Sequence, residues 1–136
     1  MELLINIDVD NLDRAIEFYQ RACGLRLNRR LFGNTVAEML GAAAPIYLLA
    51  KYPGSQASSN SRQVRDYQRH WTPVHLDFVV DDLDVALESA AAAGAIIESM
   101  PQSFTWGRLA LLSDSFGNGF CFLQWSAGRY DAVVDY

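Results

Sequence analysis

His75 and Asp77 are the pair in this sequence best placed for acid–base chemistry. They stand at i and i+2 of the apolar run Val74–Val80, so on an extended strand both side chains project from the same face. There the carboxylate could orient the imidazole or stabilise its charge, and histidine is the side chain whose ordinary pKa lies nearest neutrality. Asn6 and Asp8 occupy matching positions in an earlier run, Leu3–Val9. Polar groups in the middle of a strand are explained by a wetted sheet face or by the floor of a cleft. Other chemistry is sparse. Two histidines and two cysteines exclude a three-histidine metal site, a four-thiolate zinc site and an iron–sulfur ligand set. Cys121 lies in an apolar run and Cys23 near a helix end, where a free thiol usually acts as a small buried apolar group. Cys121 would be a nucleophile only with a lowered pKa. His70 reads as a surface residue beside Trp71, and the sequence has no phosphate loop, nucleophile elbow or zincin helix.

The elements that must carry these residues repeat. Val9–Glu17 matches Val80–Glu88 at a constant offset of 71, with six identities in nine positions. Alternation predicts a strand at Leu3–Val9, with Leu3, Ile5, Ile7 and Val9 toward a helix and Leu4, Asn6 and Asp8 away from it. Asp10 or Asn11 offers an N-cap for a helix running to Gly24. Strands follow at Leu25–Arg30, Thr35–Leu40 and Pro45–Lys51, the first two joined by the hairpin signal Gly33-Asn34. The second half echoes this with strand Val74–Val80, helix Leu83–Ala93, and strands Ala95–Ser99, Arg108–Ser113 and Phe120–Trp125. The expected fold class is α+β: two tandem β-α-β-β-β modules forming a curved mixed sheet around a cleft. One domain over 1–136 would comprise module one at about 1–52, a linker at about 53–73, module two at about 74–126 and a tail at 127–136. The linker, with Arg62, Arg65 and Arg69, is long for a connection within one domain and reads as a flexible linker or a lid.

With 51% apolar and 20% charged residues over 136 positions, the chain can bury a core without disulfides. A net charge of −5 argues against binding nucleic acid or an anionic membrane. No run approaches a membrane span, and Met1–Leu4 lacks the basic start of a secretory leader, so a cytoplasmic protein with reduced thiols is expected.

The repeated modules, Asn11–Tyr19 in the first half and Asp114–Cys121 in the second together resemble the glyoxalase/bleomycin-resistance/extradiol-dioxygenase (vicinal oxygen chelate) superfamily across nearly the whole chain. That resemblance implies the fold and an inter-module cleft. It leaves function open among isomerases, lyases, epimerases, dioxygenases, thiol transferases and drug-sequestering binders. In its metal-dependent members, ligands come from the first and last strand of each module. Those positions correspond here to Leu4, a residue near Tyr47, His75 and Cys121. Leucine cannot ligate, and Cys121 stands where a Glu is expected, so loss of the metal is the implied outcome and no cofactor is expected. Ser115 also replaces the usual proline of the turn.

The resulting expectation is a small-molecule binder, with Asn6, Asp8, Tyr47, His75, Asp77, Trp106, Arg108 and Cys121 as ligand-binding candidates. Trp106, Trp125 and Trp71 would offer aromatic walls, and Arg108 would pair with an anionic or carbonyl substituent. The net negative charge favours a cationic or neutral ligand. The alternative is a small lyase, isomerase or dioxygenase-like enzyme. It would use His75 and Asp77 as catalytic residues, or a divalent ion on them with oxygens from Asn6 and Asp8. A homodimer is expected, with the tail Gly128–Tyr136 over the partner.

Overall fold

The computed structural model describes residues 1–136. The chain opens with β1 (Ile5–Val9) and α1 (Leu12–Cys23). Asn11, in extended backbone, accepts a 3.1 Å hydrogen bond from the Arg14 N–H and so caps the helix. Gly24 closes it in the left-handed region at φ 67°. Leu12, Ala15, Ile16 and Tyr19 recur at helical spacing and are buried. Strands β2 (Arg26–Leu31), β3 (Val36–Leu40) and β4 (Ile46–Ala50) complete a sheet in the order β1-β4-β3-β2, with β1 parallel to β4.

The second half repeats the plan. It contains β5 (Leu76–Val79), α2 (Leu83–Ala92), β6 (Ile96–Ile97), β7 (Gln102–Phe104), β8 (Gly107–Ser113) and β9 (Gly119–Trp125). The sheet order is β5-β9-β8-β6, with β7 also paired to β8 and β5 parallel to β9. Asp82 caps α2 through the Val85 N–H at 3.1 Å, the same device as Asn11 in α1. The two modules are therefore equivalent in topology, as the repeat predicts. Register makes the equivalence exact at the residue level: Asn6 pairs with Tyr47, and Asp77, 71 residues after Asn6, pairs with Cys121. Tyr47 and Cys121 thus hold the same position in the two modules.

One core serves both halves. A single cluster of 20 buried residues draws on α1, α2 and both sheets. Phe18 of α1 meets Phe120 of β9 edge-on at 6.3 Å, and the Tyr19 hydroxyl donates to Asp114 at 2.6 Å.

Several details differ from the sequence reading. Leu3 and Val74 are 65% and 77% exposed, because they precede the first ladder pairs and have no neighbouring strand to hold them inward. The Gln102–Phe104 strand is exposed and lacks apolar alternation, so its pairing with β8 left no periodic signal. The tail forms a 3-10 helix (Arg129–Val133) whose Tyr130 packs on Trp125 of its own chain at 4.6 Å. Segment 53–73 is tied to both modules. Arg65 Nε donates to Asp8 at 2.7 Å, Arg69 Nε to Glu98 at 2.5 Å, and the His70 N–H to the Gly117 carbonyl at 3.3 Å. Gly117 is required where it sits, since its φ is 85° and a Cβ there would strike the Gln68 backbone. No helix is long and apolar enough to cross a membrane.

Candidate functional site

Strands β1 and β5 are each an edge of their sheet, and a groove of about 1240 Å³ lies between them. Its walls are Ile5, Asn6, Ile7 and Asp8 on one side and His75, Leu76 and Phe78 on the other. Residues 62–73 run along it. Ile5, Ile7 and Phe78 back onto the core, so the groove has an apolar base and a polar border. Its formal charges are Asp8 and Asp66 against Arg62, Arg65 and Arg69. Asp8 takes Arg65 and Glu98 takes Arg69, which leaves Arg62 and Asp66 without an ion-pair partner. With Glu98 counted beside Arg69, the arginines and carboxylates at the groove balance.

A second constellation adjoins the groove through His75. The His75 Nε2 lies 3.2 Å from Asp77 Oδ1, and ligating atoms of His75, Asp77 and Cys121 all fall within 4.8 Å of one another. The strands explain this convergence: His75 and Asp77 share a face, and the parallel register sets Cys121 directly beside Asp77. Burial, and then the neighbouring Asp77 carboxylate, push the Cys121 thiol up to about 11. It is a protonated thiol at neutral pH, and nucleophilic use is disfavoured.

In module one the equivalent place is taken by a different arrangement. Glu38, almost fully buried on β3, accepts hydrogen bonds from Asn28 Nδ2 at 2.6 Å, Arg29 Nε at 2.9 Å and the Tyr47 hydroxyl at 2.7 Å. Its carboxyl is drawn down to about 2, chiefly by the Arg29 hydrogen bond. Sequence reasoning passed over Glu38. The available signal was a lone acid inside the apolar run Val36–Leu40. A divalent ion at the four positions implied by the resemblance does not fit these residues. Leu4 has no donor atom, and the Tyr47 hydroxyl is committed to Glu38.

The eight binding candidates thus divide. Asn6, Asp8 and His75 line the groove; His75, Asp77 and Cys121 converge beside it. Tyr47 is turned to Glu38. Arg108 is placed elsewhere, for a strand-parity reason. It shares the α2 side of the sheet with Ala110 and Leu112, and it forms a two-bond ion pair with Asp84 at 3.1 Å. Trp106 also departs from the expected wall. It stacks on Phe104 at 4.8 Å and meets Tyr130 at 5.5 Å, within an aromatic cluster that includes Trp125. Of the tryptophans only Trp71, 81% exposed, lines the groove.

Comparison with known proteins follows the geometry. The family described as a glyoxalase-like domain matches residues 4–123. Among solved structures, the chain is similar to a hypothetical protein, SA1046, from S. aureus, with TM-score 0.71, 19% identity and coverage of 91% of this chain and 93% of that one. It is similar to TnmS3, an antibiotic binding protein from Streptomyces sp. CB03234, with TM-score 0.64, 23% identity and coverage of 93% and 96%. It is also similar to FosX, a fosfomycin resistance protein from Listeria monocytogenes, with TM-score 0.69, 17% identity and coverage of 93% and 94%. No curated protein sequence matches significantly.

Proposed function

Since the chain belongs to the glyoxalase-like domain family, we propose that it binds a small organic molecule in the groove between β1 and β5, without the His/Glu-held divalent ion of the metal-dependent relatives. The observation that carries this reading is the groove itself: an apolar base between two strand edges, bordered by Asn6, His75 and the unpaired Arg62. Such a site suits a molecule with an apolar body and a polar or anionic substituent, the substituent reaching Arg62. Structural neighbours that include an antibiotic binding protein and a fosfomycin resistance protein support the class of function. A homodimer belongs to the same reading, supported by the exposed apolar Leu3, Leu4, Val74 and Val79 at the two strand edges; sedimentation tests it.

A second reading is favoured by the His75–Asp77 pair, whose 3.2 Å spacing suits a general base beside the groove. It makes the protein a small lyase or isomerase of the same superfamily.

Trp71 supplies the test, because it is the tryptophan on the groove. Titration of wild-type protein with a panel of neutral and anionic aromatic compounds should give a saturable emission change and a higher melting temperature. Occupancy at 100 times Kd adds about 2.7 kcal/mol. Trp106→Phe and Trp125→Phe should keep the response, and Trp71→Phe should lose most of it. A response that survives Trp71→Phe, or no response to any compound, overturns the groove reading. His75→Ala separates the two readings: a binder changes only in affinity and neither protein turns the compound over, whereas an enzyme turns it over in the wild type and loses that turnover in the variant.

A further inference from the structure

Segment 62–73 borders the groove along its length, but only part of it is held in place. On module one, Arg65 Nε is bound to Asp8, the Arg65 N–H to the Ser55 carbonyl at 2.8 Å, and the Tyr67 hydroxyl to the Lys51 carbonyl at 2.8 Å. On module two, residues 68–70 rest in a seat hollowed by two glycines. A Cβ on Gly117 would strike the Gln68 carbonyl, and one on Gly119 would strike the Arg69 guanidinium. The His70 N–H closes on the Gly117 carbonyl there, and Arg69 on Glu98. Beyond His70 the fastening stops. Trp71–Val74 make one hydrogen bond, from the Thr72 hydroxyl to the Val74 carbonyl at 2.7 Å, and it stays within the turn. Trp71 is 81% exposed although it lines the groove.

We infer that Trp71–Pro73 is a flap, hinged at His70 and Val74, which swings onto a bound molecule so that the Trp71 indole covers its apolar body. The inference rests on the groove reading above and adds the side chain that closes the site. Moving this turn breaks no hydrogen bond to the rest of the protein, whereas moving residues 65–70 breaks several. Pro73 fixes its own φ and holds Thr72 in extended backbone, so the turn moves as a unit and loses little freedom on closing. An indole that leaves water for an apolar surface is stabilised, and its flat face fits a planar ring best. Ile5, Ile7 and Phe78 supply the apolar base, so a flat molecule would lie between them and Trp71. The flap thereby selects planar aromatic ligands over compact branched ones.

The anionic aromatic dye 8-anilinonaphthalene-1-sulfonate is the probe. In the free protein, amide exchange should leave Trp71, Thr72 and Val74 nearly unprotected beside a protected His70. One equivalent of dye should bind and slow exchange in β1, in β5 and in residues 71–74. In a Trp106→Phe/Trp125→Phe background, acrylamide quenching of Trp71 should fall several-fold on binding. Trp71→Ala should weaken dye binding on the order of tenfold, and Trp71→Phe should restore most of it. The single substitutions decide the matter even if the double variant fails to fold. Full affinity in Trp71→Ala, a Trp71 still open to acrylamide in the complex, or residues 71–74 as protected as His70 in the free protein overturns the flap. Protection of Trp71 that rises with protein concentration also overturns it, by assigning the indole to a contact between copies. Dye that fails to bind the wild type, or binds without slowing β1 and β5, overturns the groove reading instead, and the flap falls with it.

Discussion

Glu38 carries a charge almost out of water, and the sequence gives no warning of how it is kept there. Asn28, Arg29 and Tyr47 supply four hydrogen bonds to its two oxygens. Arg29 reaches it because a bulge in β2 between Leu27 and Arg29 turns both Asn28 and Arg29 toward β3. A bulge depends on cross-strand pairing, so it is invisible in the sequence. The pH consequence has a definite sign. The folded carboxyl titrates at about 2, below its ordinary 4.5, so Glu38 contributes stability that is complete above pH 4.5 and lost as pH falls toward 2. Melting temperatures measured from pH 2 to 6 should fall across that window in the wild type. Glu38→Gln should be less stable at neutral pH, since Arg29 loses its counter-charge, and should show a shallower fall below pH 4.5. Equal slopes in the two proteins would show that Glu38 is not the titrating group. His75 illustrates the opposite case: its parity with Asp77 was legible from alternation alone, whereas the arrival of Cys121 needed the β5–β9 register.

At the scale of elements, the turn before β9 joins the modules more than it serves chemistry. Asp114 is buried and accepts from the Tyr19 hydroxyl, the Phe116 and Asn118 N–H groups and Asn118 Nδ2, at 2.6 to 3.0 Å. The turn was readable from Asp, Asn and Gly at their positions; its bond to a helix 95 residues earlier was not. Asp114→Ala should cost about 2–4 kcal/mol in urea unfolding, because buried donors lose their acceptor. A cost below about 1 kcal/mol would mean water replaces it. The same turn seats segment 53–73, which composition alone read as a linker or lid. Glu98 holds Arg69, and that ion pair lowers the Glu98 carboxyl below its ordinary range. Glu98→Gln leaves every arginine in place yet frees one anchor, so trypsin should cut at Arg62, Arg65 or Arg69 faster than in the wild type. Unchanged cutting would show that Arg65–Asp8 and the backbone bonds suffice.

For the whole molecule, duplication raises the question of whether two modules fold as two units. The sequence makes the modules legible, since the 71-residue offset, the N-caps Asn11 and Asp82 and the buried face of α1 survive in the structure. It does not show how they join, because the joining contacts have no periodicity. Those contacts are extensive: one buried cluster spans both halves, Phe18 meets Phe120, Tyr19 meets Asp114, and Arg21 donates to the Ala92 carbonyl at 3.1 Å. Neither sheet has a second layer except the helices, and the helices pack on each other, so an isolated module would expose the face its twin covers. Unfolding should therefore be a single cooperative transition. Phe18→Ala, at the junction, should remove about 3–5 kcal/mol and lower the midpoint of both halves together. Emission from Trp106 and Trp125 reports module two, and amide exchange in α1 and β3 reports module one. Coincident shifts in the two probes carry the prediction. A variant in which module one loosens while the Trp106 and Trp125 signal keeps its wild-type midpoint would show that the halves are separate folding units joined by a chain.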